Sequence, residues 1–500
     1  MKEPLLLGYD IGSSSIKASL IKADTGVLAA SAFSPEGEMK IESPQQGYAE
    51  QRPDIWWEHV KAATTKMLSK GNVDPSEIKG IGISYQMHGL VMVDEQLNTI
   101  HPSIIWCDSR AVEIGNKAFT DLGQEYCLRR YLNSPGNFTA SKLKWVKENR
   151  PDVYSRIFKI MLPGDYIALR LTHEPCTTVS GLSEGILWDF ERMDVADKLM
   201  EYYGFDRGLI PRTVPTFAIQ GVLTREAAEA LRLKPGIPIS YRAGDQPNNA
   251  LSLNVMNPGE IAATAGTSGV MYGVTGKNVF DERNRVNTFA HVNYTREHPM
   301  KGVLLCINGT GIQYHWIKRG VLGNRHTYEE MNAMAAGVEV GSRGLLCFPF
   351  GNGAERSLEN RDVKGQFSGI NFNIHDKSHL IRAAQEGIAF SFRYGLDILK
   401  SMGLEMSAIR AGDTNLFQSK VFKEAFVNTC DVNLTIYNTD GSQGAARGAG
   451  IGVGYYSSPE EAFQGLKVVE ELHPESSLTG LYLEKYEGWK EKLLYLLERE

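Results

Sequence analysis

Two strand–turn–strand units, half a chain apart, constrain this sequence more than anything else in it. The first, residues 5–20, reads LLLGYDIGSSSIKASL; the second, residues 261–274, reads IAATAGTSGVMYGV. Each is an apolar strand, a glycine, two or three hydroxyl residues and a second apolar strand. A tight Gly and Ser/Thr turn gathers backbone N–H groups and hydroxyls at one point, which makes a polyanion cradle. Two such cradles on two halves of one chain can face each other across a cleft and hold a chain of phosphates. Either turn alone is more often only a hairpin. Three features strengthen the pair. Asp10 ends the first strand, where a carboxylate could reach a phosphate-bound metal. The turns share one pattern. Between them lies Ala243-Gly244-Asp245-Gln246, a second carboxylate in a glycine-containing loop.

Five hundred residues exceed one hydrophobic core, so two large domains are expected, at 1–254 and 255–500. The composition, 42% hydrophobic and 22% charged, is that of a globular protein. No apolar run approaches a membrane span; the run at 81–93 is interrupted by Gln86 and His88. No signal-peptide core precedes the first strand, so the cytoplasm is the expected compartment. The six cysteines form no C-x-x-C pair and read as small apolar fillers. A formal charge of −6 without a basic block argues against nucleic acid as a partner, though not against a nucleotide.

Strands are expected at 5–11, 16–21, 27–30, 78–84, 91–93 (resuming the same sheet), 103–106, 237–241 and 408–411. A helix from Pro53 buries Trp56, Val60, Ala63 and Met67. Another, at 141–148, is stopped by Pro151. A long one spans 378–402 with Leu380, Ile381, Ala384, Ile388, Phe392, Leu396 and Leu399 at helical spacing and Gly403 as its cap. Ser419 caps a further helix. Asp440-Gly441 opens a glycine-alanine helix to 454, whose small residues permit close packing. Residues 111–235 read as helical with irregular loops. Strands and helices alternating in both halves give an α/β class with two duplicated domains.

These residues carry a resemblance. From about residue 5 to 455 the chain resembles the FGGY carbohydrate kinases, whose fold is a pair of actin-like ATPase (ribonuclease H-like) domains with an interdomain cleft. The first phosphate motif stands as Asp10-Ile11-Gly12-Ser13-Ser14-Ser15-Ile16-Lys17, the second as Gly266-Thr267-Ser268-Gly269. The loop of the catalytic aspartate resembles Ala243-Gly244-Asp245-Gln246. Gln86-Met87-His88-Gly89 matches the mark of the members that act on D-xylulose, as do 106–110, 135–143 and 162–166; the family's glycerol kinases carry Arg-Glu at 87–88. Two departures stand out. Asp413 occupies a usual glycine of the adenosine loop, and the stretch 349–356 is one residue longer than the family pattern.

The resemblance implies ATP-dependent phosphorylation of a ketopentose, D-xylulose to its 5-phosphate, with ATP and Mg²⁺. Asp245 is then the general base, where the residues alone leave room for a loop-capping Asp. Asp10 orients Mg²⁺ through water, where a turn-forming Asp is the plainer reading. Gly12, Ser13, Ser14 and Lys17 meet phosphates, although Lys17 could equally be a solvated strand residue. Gly266, Thr267 and Ser268 hold phosphates from the other side. Gly309, Gln313, Gly412 and Asn415 border the nucleotide, the plain alternative being ordinary helix starts. Gln86, Met87 and His88 line the sugar pocket, with His88 uncharged. Asp108 and Arg110 are equally readable as an ion pair or as pocket lining. The expected partner is a small sugar, with neither nucleic acid nor membrane, and a homodimer is compatible with the reading. Two alternatives stay open: a kinase for ribulose, another ketose or a polyol, and a non-catalytic actin-like nucleotide-binding protein.

Overall fold

A computed structural model describes residues 3–70 and 73–499. Its frame is two mixed sheets wound the same way. The first uses β1 (Leu5–Ile11), β2 (Ile16–Lys22), β3 (Leu28–Ser34), β4 (Ile78–Tyr85), β5 (Phe217–Val222) and β6 (Pro238–Gly244), in the order β5-β6-β4-β1-β2-β3. The second uses β7 (Glu260–Ala265), β8 (Gly269–Thr275), β9 (Asn287–Ala290), β10 (Lys301–Ile307), β11 (Ala408–Gly412), β12 (Leu434–Tyr437) and β13 (Val468–Leu472), in the order β9-β10-β8-β7-β11-β12-β13.

Six strands correspond one for one, β9 being an additional edge strand of the second sheet. β1-β2-β3 form an antiparallel meander, as do β7-β8-β10. β4 and β6 then lie parallel beside β1, as β11 and β12 lie beside β7. An antiparallel edge strand closes each run, β5 and β13. The duplication expected from the two hairpins is therefore a duplication of whole sheets.

Helices follow the periodicity that announces them. α1 (Pro53–Lys70) starts with proline at its first turn, where no N–H partner is lost, and buries Trp56, Val60, Ala63 and Met67 under the first sheet. α2 (Thr139–Asn149) ends where expected, but Pro151 also opens a four-residue helix of its own. α3 (Val179–Glu184) is a short, fully capped turn of helix, with Thr178 accepting from the Gly181 amide. α4 (Asp245–Ser252) leaves β6 directly, and α5 (Thr310–Trp316) follows β10. α6 (Lys377–Ser401) spans the second core, its end marked by Gly403 at φ 80°. α7 (Lys420–Cys430) is capped by Ser419, whose hydroxyl accepts from Phe422 N–H. α8 (Gly441–Gly452) is capped by Asp440.

Two expectations need correction. Residues 91–93 do not resume the main sheet; they pair antiparallel with Lys159–Met161 in a separate ladder, because the loop after β4 turns the chain away. The strand at 103–106 shrinks to Ser103–Ile104, paired with Glu50–Gln51. α8 belongs by sequence to the second half, yet it lies across β1 and β4 of the first sheet. Its approach depends on Gly82: a Cβ there would come within 1.9 Å of the Ala445 carbonyl. α4 packs beside α8, so two helices that follow corresponding strands meet between the sheets.

Candidate active site

The first hairpin turns tightly after Ile11, with Gly12 N–H donating to the Ser15 carbonyl at 3.1 Å. Asp10 sits opposite Lys17 in the ladder. Burial raises the Asp10 carboxyl above its ordinary range and the charge of Asp440 adds to this, against the Ser84 hydroxyl and Lys17. β6 delivers Asp245 to the first position of α4. Burial pushes Asp245 up to about 7, with Asp10 the next cause and Gln246 opposing. Two carboxyls that resist ionising together are thus brought from strand ends 235 residues apart in sequence (245 − 10) to one corner.

Asp440 completes that corner. Its carboxylate accepts from Lys17 Nζ at 2.8 Å, Ser442 Oγ at 2.6 Å, Gln443 N–H at 3.1 Å and Gln443 Nε2 at 2.9 Å. Although burial works the other way, Lys17 and these donors hold it below the usual carboxylate range. Asp440 follows β12 as Asp245 follows β6, so the two are counterparts under the duplication.

The loop after β4 forms a second wall. His88 takes a left-handed backbone, φ 61°. Its carbonyl is held by Lys142 Nζ at 2.9 Å and Thr139 Oγ1 at 3.3 Å. Its ring stands edge-on to Phe138, centroids 4.8 Å apart, and tilted against Phe289 at 5.3 Å. Burial drops the imidazole to about 3, so it is neutral. Its Nδ1 lies 2.9 Å from the Glu184 carbonyl, which can only accept; the proton is therefore on Nδ1 and Nε2 is an acceptor. Met87 Cγ reaches within 2.5 Å of where a Cβ on Gly244 would be, which puts this loop against the residue preceding Asp245.

Gln86 behaves differently from its neighbours. Its Nε2 donates to Gln51 Oε1 at 3.3 Å, and Gln51 in turn donates to the Ser13 carbonyl at 2.7 Å. Gln86 is a strut between the loop after β4 and the first turn. Asp108 and Arg110 form an ion pair, 2.7 Å at Nη2, which Glu50 shares at 2.7 Å.

In the second half, the start of α5 docks on the second turn. Gly311 N–H donates to the Gly266 carbonyl at 2.9 Å and Ile312 N–H to Thr267 at 3.1 Å. Asn415 Nδ2 lies 3.4 Å from where a Gly266 Cβ would stand. Gly309 and Gln313 line a cavity of about 350 Å³ with Ile312, Trp316, Gln366 and Phe367. Gly266, Thr267, Ser268, Gly309, Gln313 and Asn415 therefore form one neighbourhood. Gly412, at the end of β11, is apart from that cavity, against Thr439.

Sequence reasoning did not single out Glu184, Lys142, Gln51 or the Phe138–Phe289 pair, and saw Asp440 only as a helix opener. Glu184 carried a signal: a carboxylate set in the apolar stretch Leu182 to Trp188. The others act through partners far away in sequence.

Duplicated sheets, each with a glycine–hydroxyl turn of one pattern, are the frame of an ATP-dependent sugar kinase. Residues 5–252 match the N-terminal domain of the FGGY family of carbohydrate kinases, and the chain belongs to that family. It is 28% identical over 492 residues to a xylulose kinase of Lactococcus lactis, covering 97% of this chain and 96% of that one. A xylulose kinase of Bacillus subtilis is 25% identical over 497 residues, with the same coverage. The crystal structure of a xyloylose kinase from Brucella ovis superposes with a TM-score of 0.88 at 25% identity, over 99% of this chain and all of that one. Among the described residues no helix is long and apolar enough to cross a membrane.

Proposed function

We propose that this chain phosphorylates D-xylulose on its terminal hydroxyl, giving D-xylulose 5-phosphate. The observation that carries the reading is the corner where Asp245, raised to about 7, meets the Met87–His88 loop and Asp10. The xylulose kinases among its relatives support the choice of sugar. Asp245 takes the proton of the reacting hydroxyl as the bond to phosphorus forms; a base near neutrality is well matched to that task. Met87 and His88 orient the sugar, His88 Nε2 accepting from one of its hydroxyls. The turn of Gly12, Ser13 and Ser14, with Lys17, holds phosphates from one side and Gly266, Thr267 and Ser268 from the other. Gly309, Gln313, Gly412 and Asn415 border the adenosine. The division of labour falls at about residue 254, sugar and first turn before it, second turn and adenosine after.

Among the described residues no group of three or more His, Cys, Asp or Glu side chains could cage a metal. The single buried carboxyl of Asp10 beside the first turn is a donor of the kind Mg²⁺ uses, one or two carboxylates with phosphates and water rather than an all-protein cage. Asp10 would hold it, through water, and the ion would neutralise charge on the transferred group.

ADP release measured against a panel of ketoses and polyols tests the reading. D-xylulose should give the highest kcat/KM. Equal or greater turnover of a polyol or another ketose replaces the substrate assignment, and no sugar-stimulated ADP release at all removes it.

A further inference from the structure

Glu184, the last residue of α3, is fully buried. Neither of its carboxyl oxygens has a well-formed hydrogen bond among the described residues, and the polar side chain that faces it is the Tyr85 hydroxyl. That hydroxyl carries one proton and can pair with at most one of the two oxygens, so the other is left over. Buried polar side chains are rarely left so, because desolvation without a partner is costly.

The carboxyl is placed at the site. Its Oε2 lies 2.5 Å from where a Cβ on Gly244 would be, beside Met87 Cγ at the same distance. Gly244 is the one residue type that leaves this space, and the next residue is Asp245. The Glu184 main chain also holds His88, through the 2.9 Å bond to its ring. One residue thus touches the sugar-side loop with its carbonyl and the approach to the base with its side chain.

We propose that Glu184 is a specificity-determining residue of the acceptor site: its carboxyl hydrogen-bonds an inner hydroxyl of the sugar while Asp245 takes the terminal one. This rests on the sugar-kinase reading above. A polyol chain beside Asp245 supplies the partner that the second oxygen lacks, and an epimer whose inner hydroxyl points elsewhere leaves that oxygen unpaired. Sites built to bond a hydroxyl discriminate strongly for that reason. A purely structural Glu184, by contrast, would be improved by an apolar side chain of similar size.

Glu184→Leu separates the two. It should fold with an unchanged or raised Tm, raise the sugar KM by at least about tenfold with the ATP KM within about twofold, and level the kcat/KM ratio between D-xylulose and its epimers D-ribulose and L-ribulose. Wild-type sugar KM and epimer ratio in this variant would overturn the proposal. If Glu184→Leu does not fold, Glu184→Gln decides: an amide donor in place of one oxygen must shift the epimer ratio, and an unshifted ratio overturns it. A wild-type enzyme that turns over some other polyol defeats the D-xylulose reading alone, and the same comparison is then run on that polyol's epimers.

Discussion

The base role proposed for Asp245 sets the first prediction. Asp245→Asn should lower kcat by roughly 10²–10⁴-fold and leave ATP affinity nearly unchanged, as measured by ADP release and nucleotide titration. A variant retaining more than about half of wild-type turnover would rule out the base. Its protonated form cannot act, so kcat/KM for the sugar should fall as pH drops through about 7. The same shift bears on stability. The folded carboxyl binds its proton more tightly than the unfolded one, so charging it costs stability as pH rises from about 4 to about 7. The Tm of Asp245→Asn should therefore gain on wild type as pH rises across that window and match it at the acid end. His88→Ala should raise the sugar KM well beyond any change in the ATP KM; the opposite pattern would put the loop on the wrong side of the cleft. Asp245, Met87 and His88 were singled out because they sit in contiguous motifs, and the fold sets their two loops against each other. Gln86 was legible as a member of its motif but not in its action, since its partner Gln51 lies 35 residues away on another element.

At the scale of elements, local signals read well and pairings did not. α6 was bounded to within a residue and α7 was given its start at Ser419, since helical spacing, a closing glycine and a capping serine are all written locally. The strand at 91–93 was found but assigned to the wrong sheet, because its pairing with Lys159–Met161 depends on where a loop sends the chain. α8 shows both cases. Its glycines and alanines announced close packing without naming the partner. Its cap was visible as Asp440-Gly441, yet the tie to Lys17 spans 423 residues. Asp440→Ala should lower stability by about 0.5–2 kcal/mol through loss of the cap, read by denaturant unfolding. It should also free Lys17, so the ATP KM should change more than the sugar KM. A normal Tm and a normal ATP KM together would mean that the cap and the ion pair contribute nothing measurable.

Over the whole molecule, the duplicated sheets meet through α4 and α8, while the two glycine–hydroxyl turns lie one in each half. A nucleotide that engages both turns favours whichever arrangement brings them together. Small-angle scattering should therefore show a smaller radius of gyration with sugar and a non-hydrolysable ATP analogue together than with either alone. Superimposable profiles would count against closure. The duplication itself was legible from two hairpins; which helix bridges the halves was not, because it is a contact between surfaces rather than a pattern in a segment.

The placement of α8 also bears on how the chain is made. The first sheet is complete once Gly244 has been synthesised, but the helix that covers β1 and β4 begins at Gly441. Translation of the intervening roughly 200 residues takes on the order of ten to forty seconds. Through that interval Ala445, Ala446 and Ala449 are missing from the surface they will seal, and the nascent first half presents a bare apolar face. A ribosome stalled before residue 441 should display that face to holding chaperones, and one stalled well past 452 should not.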